Sequence, residues 1–447
     1  MSQPVSAPLP YPSSAYAWYV TALLTLIGIL SYMDRYILSL LIEPIKQALV
    51  LSDFQIGLLI GPAFILLYVV FGLPFGWVAD RYNRRIMVSV AVAFWSLMTA
   101  LCGLADRFWL LFAARASVGL GEATQGPAGV SLIADLFPKE TRPKAIAMWL
   151  SSSSLGAGST YLLGSLVLAA IIAAPPVVLP VVGELQAWQT AFMVVGLPGF
   201  LVAVLVFLTV REPVRRDRAA GTGAPSGVFS VGDAMRYVGG RWRPFLAAIC
   251  ASWGSTLIGA GSFWAPSLFL RTWGWDASTS GVVIGTVLLC TGVGFTNLAG
   301  WLASYGIRRG IIHAPYLVMW LGILMTMIFL GTFSLMPSPE LGVVLFALGM
   351  AGMAMTAGTS VTAIVAITPN RLRGQLAALS FLIMNLFGAQ IGPPAVGLAT
   401  DLLGDPALLR YGWTITCVVT GLVANLGLLW GYRHYRTEAQ RMAAADS

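Results

Sequence analysis

The sequence predicts an all-α membrane protein of twelve transmembrane helices, arranged as two pseudo-symmetric six-helix bundles. Three observations carry that prediction. The 447 residues are 57% hydrophobic and 10% charged, with mean hydropathy +0.81; a soluble domain carries about 25% charged residues. The apolar residues gather in runs of about twenty, the length a helix needs to cross a bilayer, and not in the alternating ten-residue segments of a membrane β-barrel. A polar stretch divides the chain, and features of the first part recur in the second, as in carriers built from internal repeats.

In chain order, residues 1–15 are uncharged and rich in Pro and Ser. They are expected to be disordered, and they lack the basic start of a cleavable signal peptide. Spans are expected at 16–42, 54–79, 86–105, 108–136, 144–172 and 187–210, then at 244–270, 278–304, 311–334, 340–368, 375–401 and 409–432. The domains are thus an N-terminal bundle (16–210), a linker (211–243) rich in Arg, Gly and Ser, a C-terminal bundle (244–432) and a tail (433–447). The end of the linker, VGDAMRYVGGRWR, reads as a short amphipathic surface helix. Of the 26 Lys and Arg, 20 fall on the side of the termini and the linker. Four (Lys46, Arg107, Arg271, Arg410) fall on the other side, and Arg35 and Arg115 lie within spans. By the positive-inside rule both termini are expected in the cytoplasm, and the protein is expected in the plasma (inner) membrane. The rule also accounts for the net charge of +8, so nucleic acid is not an expected partner.

Four cysteines, Cys102, Cys250, Cys290 and Cys417, fall inside apolar runs and read as buried thiols. The two histidines, His313 and His434, stand at segment ends. No metal or cofactor is expected, and no nucleophile–base pair or nucleotide loop suggests an enzyme.

The repeat is visible in residues. GWVADRYNRR (76–85) follows the second span and GWLASYGIRR (300–309) the eighth; FPKETRPKA (137–145) and TPNRLRGQL (368–376) occupy the corresponding later loops. The positive-inside rule explains the arginines but not the shared Gly-Trp-x-Ala start. The first of these loops resembles the signature of the major facilitator superfamily. SYMDRY (31–36), RASVGLGEA (115–123), IADLF (133–137), REP (211–213) and the Gly156-x-Gly158-x-x-Tyr161-x-x-Gly164 pattern are similar to the Spinster family. That likeness is specific over about residues 31–215. It implies the major facilitator fold, a carrier of lysophospholipids or sphingosine phosphates, and proton coupling as in several members. The chain departs from the pattern at Ser304, where the first-half loop has Asp80. The Gly-x-Gly itself is no dinucleotide site, because no strand precedes it; small residues there let helices approach closely.

Ionisable groups at membrane depth cost about 2.5–3.5 kcal/mol each on insertion scales and are rarely idle. Arg115 and Glu122 are two turns apart on one face of the fourth span, about 10.5 Å along its axis. Asp34 and Arg35 lie in the first. Helix rise puts Asp34 and Arg115 at the same depth, and in the fold that the resemblance implies both spans line the central cavity. An Asp34–Arg115 ion pair is then expected, with Glu122 deeper and without a basic neighbour in its own helix. Burial raises a carboxyl pKa and a nearby Arg lowers it, so Asp34 and Glu122, with Arg115, are candidates for proton coupling. Arg35, about 100° around the helix from Asp34, either faces a substrate phosphate, which suits its guanidinium fork, or snorkels.

Apart from Glu340 at a span start, spans 278–304, 340–368 and 375–401 carry no charge before Asp401 and offer few polar groups, with Met350, Met353 and Met355 adding soft apolar surface. A cavity ionic on one side and apolar on the other suits an amphipathic substrate. Arg35, Arg115, Tyr161, Asn385, Thr356 and Met353 are the candidate substrate contacts. Asp80, Arg81, Arg84 and Asp135 are the candidate inner gate. The expectation is a monomeric, proton-coupled carrier working by alternating access, with a lysolipid-like substrate. The alternatives are a carrier of small organic anions or drugs and a non-coupled lipid pathway.

Overall fold

The computed structural model describes residues 11–180, 183–215, 231–369 and 372–446. Ten segments are long and apolar enough to cross a membrane. They are Ser14–Leu40, Asp53–Arg81, Arg84–Cys102, Arg142–Ala173, Ala187–Thr209, Trp242–Trp273, Ala277–Arg308, Ala314–Leu335, Pro339–Ala366 and Pro406–Ala444. Two more spans are broken. The fourth divides into Phe108–Glu122 and Gln125–Leu136, with the Thr124 hydroxyl turned back to the Gly121 carbonyl (2.9 Å). The eleventh runs as Arg373–Ile383, a π-helical turn Met384–Ala389 and then Gly392–Leu403. Near the start of that last piece Pro393 removes a backbone N–H that an interior position would need. With these two the chain has the twelve spans the hydropathy requires, as two six-helix bundles.

Span ends follow local signals. Ser52 and Gln55 form a capping box at the second span, and Asn83, Asp276 and Ser338 each accept from a backbone N–H one turn in. Gly274 and Gly404 close the seventh and eleventh spans with φ of +73° and +81°, a conformation glycine adopts without a Cβ clash. The linker helix occurs as read, at Val231–Gly240, and its Tyr237 hydroxyl donates to the Ile367 carbonyl (3.1 Å). The last helix continues through the tail to Asp446 instead of ending near 432. Buried Tyr435 anchors the extension by stacking on Tyr316 (4.2 Å) and donating to the Ala363 carbonyl (2.7 Å). A two-stranded hairpin, Val178–Leu179 against Gly183–Glu184, joins spans five and six. Cys102 and Cys417 are buried as expected. Cys250 is half-buried and Cys290 is exposed on its helix, which corrects the reading of all four as buried.

The two halves touch through the first and seventh spans, the second and eleventh, and the fifth and eighth. Gly285 shows why the last contact is so close: a Cβ there would lie 2.8 Å from the Gly158 carbonyl oxygen and from the Leu162 nitrogen. Hydrogen bonds and ion pairs join the halves at the face opposite the termini.

Candidate functional site

Near mid-depth, between the halves, lies a cavity of about 460 Å³. Its N-half wall is cationic and aromatic: Arg35, Arg115, Tyr32, Tyr36, Phe64 and Tyr68. Its C-half wall has no charged side chain. Ser252, Ser255, Thr256, Ser262, Thr356 and Ser360 alternate there with Phe263, Leu288, Met350, Met353 and Met384. Of the candidate substrate contacts, Arg35, Arg115, Thr356 and Met353 line this cavity. Tyr161 does not. It is buried behind the wall with its hydroxyl 2.9 Å from that of Ser39, edge-on to Tyr36. The side chain of Asn385 lies outside the described residues. Met355 is buried against other C-half residues.

The charge pairing differs from the expected one. Arg115 does reach Asp34, but its Nη1 donates to the Asp34 backbone carbonyl (2.8 Å) and not to the carboxylate. No cation lies within ion-pair distance of the Asp34 carboxylate among the described residues. The buried Thr99 hydroxyl lies beside it without a well-formed hydrogen bond. Glu122, without a basic neighbour in its own helix, has one from the first span. Arg35 donates to Glu122 Oε2 from Nη2 (2.6 Å) and Nε (2.9 Å), and Ser31 donates to the same oxygen (2.5 Å). Glu122 Oε1 is buried without a partner.

The reason is rotational. Arg35 lies one residue past Asp34, so when Asp34 turns toward the third and fourth spans, Arg35 turns about 100° away, along the cavity wall. Glu122 is the last residue of its helical segment, where a negative charge opposes the helix dipole; the guanidinium and Ser31 offset that. Three rings surround the Arg35 guanidinium, Phe64 at 4.3 Å and Tyr32 and Tyr68 at 5.0 Å. Arg35 keeps 19% of its side-chain surface exposed, while Glu122 keeps none. The cavity thus sees the cation, and the carboxylate sits behind it.

The glycine pattern of span five has the packing use read from it. A Cβ on Gly156 would meet Tyr32 and Ile29 of the first span, and one on Gly158 would meet Leu289 of the eighth. The fifth span also takes a π turn, Thr160–Gly164, and the eleventh, its counterpart in the other half, takes one as well.

The basic-face network is built around Arg84, which is 1% exposed. Its Nη1 reaches Asp135 (2.5 Å) and Ser131 (2.7 Å), and its Nε reaches Glu212 (2.7 Å). The second Glu212 oxygen accepts from the Arg85 backbone N–H (3.1 Å), at the start of the third span. The Arg-Glu-Pro motif after the sixth span thus supplies the carboxylate that ties three spans of one half together. Asp80 is not in this network. It is exposed and carries no ion pair among the described residues, and Arg81 stacks over Trp77 (4.2 Å). The expected Asp80–Arg–Asp135 gate is corrected to Arg84–Asp135–Glu212, whose described ion pairs join spans of one half.

The bonds that do join the halves were not foreseen as a unit. Arg271 of the seventh span forks onto Asp53 (2.9 Å to each oxygen) and reaches Glu43 (2.9 Å). Lys46 also pairs with Asp53 (2.5 Å). The Asp401 carboxylate accepts from the Asp53 and Phe54 N–H groups (3.1 and 2.9 Å), an acid on a helix N-terminus. The signal was present: Lys46 and Arg271 are two of only four cations on that side, each placed near an acid at a span end.

Residues 24–393 match the profile of the Major Facilitator Superfamily. The chain belongs to that superfamily. It is a membrane transporter, and the Spinster likeness read from its motifs holds. It is 29% identical over 400 residues, 87% of this chain and 86% of the other, to an MFS-type efflux pump of Mycolicibacterium smegmatis. It is 35% identical over 205 residues to protein spinster homolog 1 of Bos taurus, an alignment covering 45% of this chain and 36% of that protein. Its fold superimposes on a bacterial homolog to human lysosomal transporter Spinster, in inward-facing and unoccupied conformation, with TM-score 0.78 and 25% identity, covering 97% and 99% of the two chains. The D-xylose–proton symporter shares the fold (TM-score 0.68, 16% identity, covering 92% and 97%).

Proposed function

We propose that this transporter is a proton-coupled carrier of an amphipathic anion, a lysophospholipid or sphingosine-phosphate-like molecule, and that Arg35 and Glu122 form its coupling pair. The observation that carries this reading is the Arg35–Glu122 ion pair set edge-on to a cavity whose far wall is uncharged. An anionic headgroup entering the cavity meets the one exposed edge of Arg35. A phosphate binds a guanidinium through the same N–H groups that Glu122 occupies, so substrate and carboxylate compete for one cation. A carboxylate displaced from its cation inside a dry helix bundle favours its neutral form. Substrate and proton then bind together. The aliphatic tail lies against Met350, Met353 and Leu288 on the other wall.

The same reading takes both termini to be cytoplasmic, by the excess of Arg on the terminal face, and the protein to be a monomer of the plasma (inner) membrane. This reading takes the conformation to be inward-facing, with the opposite face locked by Arg271, Asp53 and Asp401. A second reading, efflux of an amphipathic drug, is favoured by the 400-residue alignment with the mycobacterial efflux pump. It uses the same cavity and the same pair.

The test is uptake into proteoliposomes of a lysolipid panel and a panel of amphipathic drugs, with and without a pH gradient. Wild type should accumulate its substrate with the gradient. Glu122→Gln should lose gradient-driven accumulation and keep exchange. A Glu122→Gln protein with wild-type dependence on the gradient moves the proton site to Asp34.

A further inference from the structure

At the basic face, on the side of the C-terminal bundle, a second cleft of about 600 Å³ opens between the end of the linker helix and the extension of the last helix. The mechanism above makes no use of it. Three guanidinium groups (Arg241, Arg243, Arg433) and one imidazole (His434) line it against a single carboxylate, Glu438. Glu438 is committed: Arg241 pairs with it at 2.8 Å and Arg441 approaches at 4.0 Å. Among the described residues Arg243 meets the His434 ring, Nη1 to Nε2 at 3.1 Å, and the Trp242 face at 5.6 Å, and no carboxylate within ion-pair distance. Arg433 is exposed and has no ion pair among the described residues. His434 Nδ1 is buried without a partner. Two cations and a ring nitrogen are therefore left to serve something that brings negative charge.

The cleft also has a membrane side. Trp242 and Trp430 lie with ring centres 5.5 Å apart, each about half exposed. Indoles placed this way occupy the headgroup level of a bilayer, apolar ring inward and N–H toward water. One turn farther into the membrane on each helix stand exposed leucines, Leu246 four residues after Trp242 and Leu426 four before Trp430. The last helix thus presents Leu426, Trp430 and Arg433 along one stripe, and the seventh span presents Leu246 and Trp242 with Arg243 next to the tryptophan in sequence.

We propose that this cleft binds the phosphodiester headgroup of an anionic glycerophospholipid from the adjacent leaflet. The phosphate lies on Arg243 and Arg433, the glycerol at the tryptophans and the acyl chains along the leucines. Basic clefts between membrane helices have the right chemistry for such headgroups, and a guanidinium fork matches two phosphate oxygens. Topology alone places arginines on this face but does not require the paired tryptophans or leave the guanidinium groups without anions. A soluble phosphate would satisfy the charges but leave the apolar stripe unused.

The full-length protein, purified in detergent, is titrated with phosphatidylglycerol, with phosphatidylcholine of the same chains and with inorganic phosphate, and bound lipid is counted by native mass spectrometry. Wild type should retain one tightly held phosphatidylglycerol and no equivalent phosphatidylcholine. Arg243→Ala/Arg433→Ala should weaken its retention at least tenfold. Arg433→Gln alone, which breaks no contact of the folded chain, should weaken it severalfold. Equal retention of the two lipids, wild-type retention by both variants, or full displacement of the lipid by millimolar inorganic phosphate would overturn the assignment.

Discussion

Removing Arg271 tests whether the opposite-face bonds set the conformational equilibrium. In Arg271→Ala, Asp53 loses a bidentate partner and Glu43 the one ion pair it has among the described residues, although Lys46 remains on Asp53. The Arg271 side chain is 10% exposed and that of Asp53 fully buried, so little water screens the pair. Breaking a fully buried pair from one side costs about 3–5 kcal/mol. With Lys46 left in place we take about 2–4 kcal/mol, all of it lost from the state closed at this face. At about 1.4 kcal/mol per factor of ten, the closed-to-open ratio falls about 30- to 700-fold. A protein that is about 99:1 closed at this face would move to between about 3:1 and 1:7. The assay is a spin-label distance between cysteines at Val50 and Leu402, both highly exposed at this face (89% and 79%), with the native cysteines replaced by serine. The expected result is a longer-distance population that wild type lacks. An unchanged distribution, or the same change in Arg309→Ala at the other face, would refute the reasoning.

Three other outcomes follow from the geometry. Glu122→Gln leaves Arg35 with its rings but no anion and should cost about 2–4 kcal/mol; Asp34→Asn keeps the Arg115 bond to the Asp34 carbonyl and should cost less than about 1.5 kcal/mol. Thermal unfolding in detergent checks the order, and equal losses would restore an Asp34–Arg115 pair. Glu212→Ala should destabilise by about 1–3 kcal/mol, because buried Arg84 keeps Asp135 but loses a charged partner, and the same melts measure it. Asp80→Asn should leave the melting temperature within about 1 °C of wild type, since an exposed residue with no ion pair contributes within about 0.5 kcal/mol; a larger drop would put Asp80 back into the Arg84 network.

The sequence by itself determined the fold class, the span number, the repeat and the residues worth watching. Those follow from one-dimensional quantities. A bilayer imposes a run length on every apolar segment, and it makes each ionisable group within a run conspicuous by its cost. Arg35, Arg115, Glu122 and Asp34 were legible for that reason, and so was the uncharged second half. Even the glycine pattern of span five could be read as packing, because close helix approach is a local demand. Partner choice is not one-dimensional. Asp34 and Arg35 are neighbours in sequence but about 100° apart on the helix, so a small rotation decides which of them meets Glu122 and which meets Arg115. That rotation is set by many contacts at once, including Gly156 against the first span and the Phe64, Tyr32 and Tyr68 rings around the guanidinium. The lock on the opposite face is farther still from sequence reading, since Asp53 and Arg271 are 218 residues apart. Hydropathy places each of them at a span end, but only the docking of the two bundles brings those ends together.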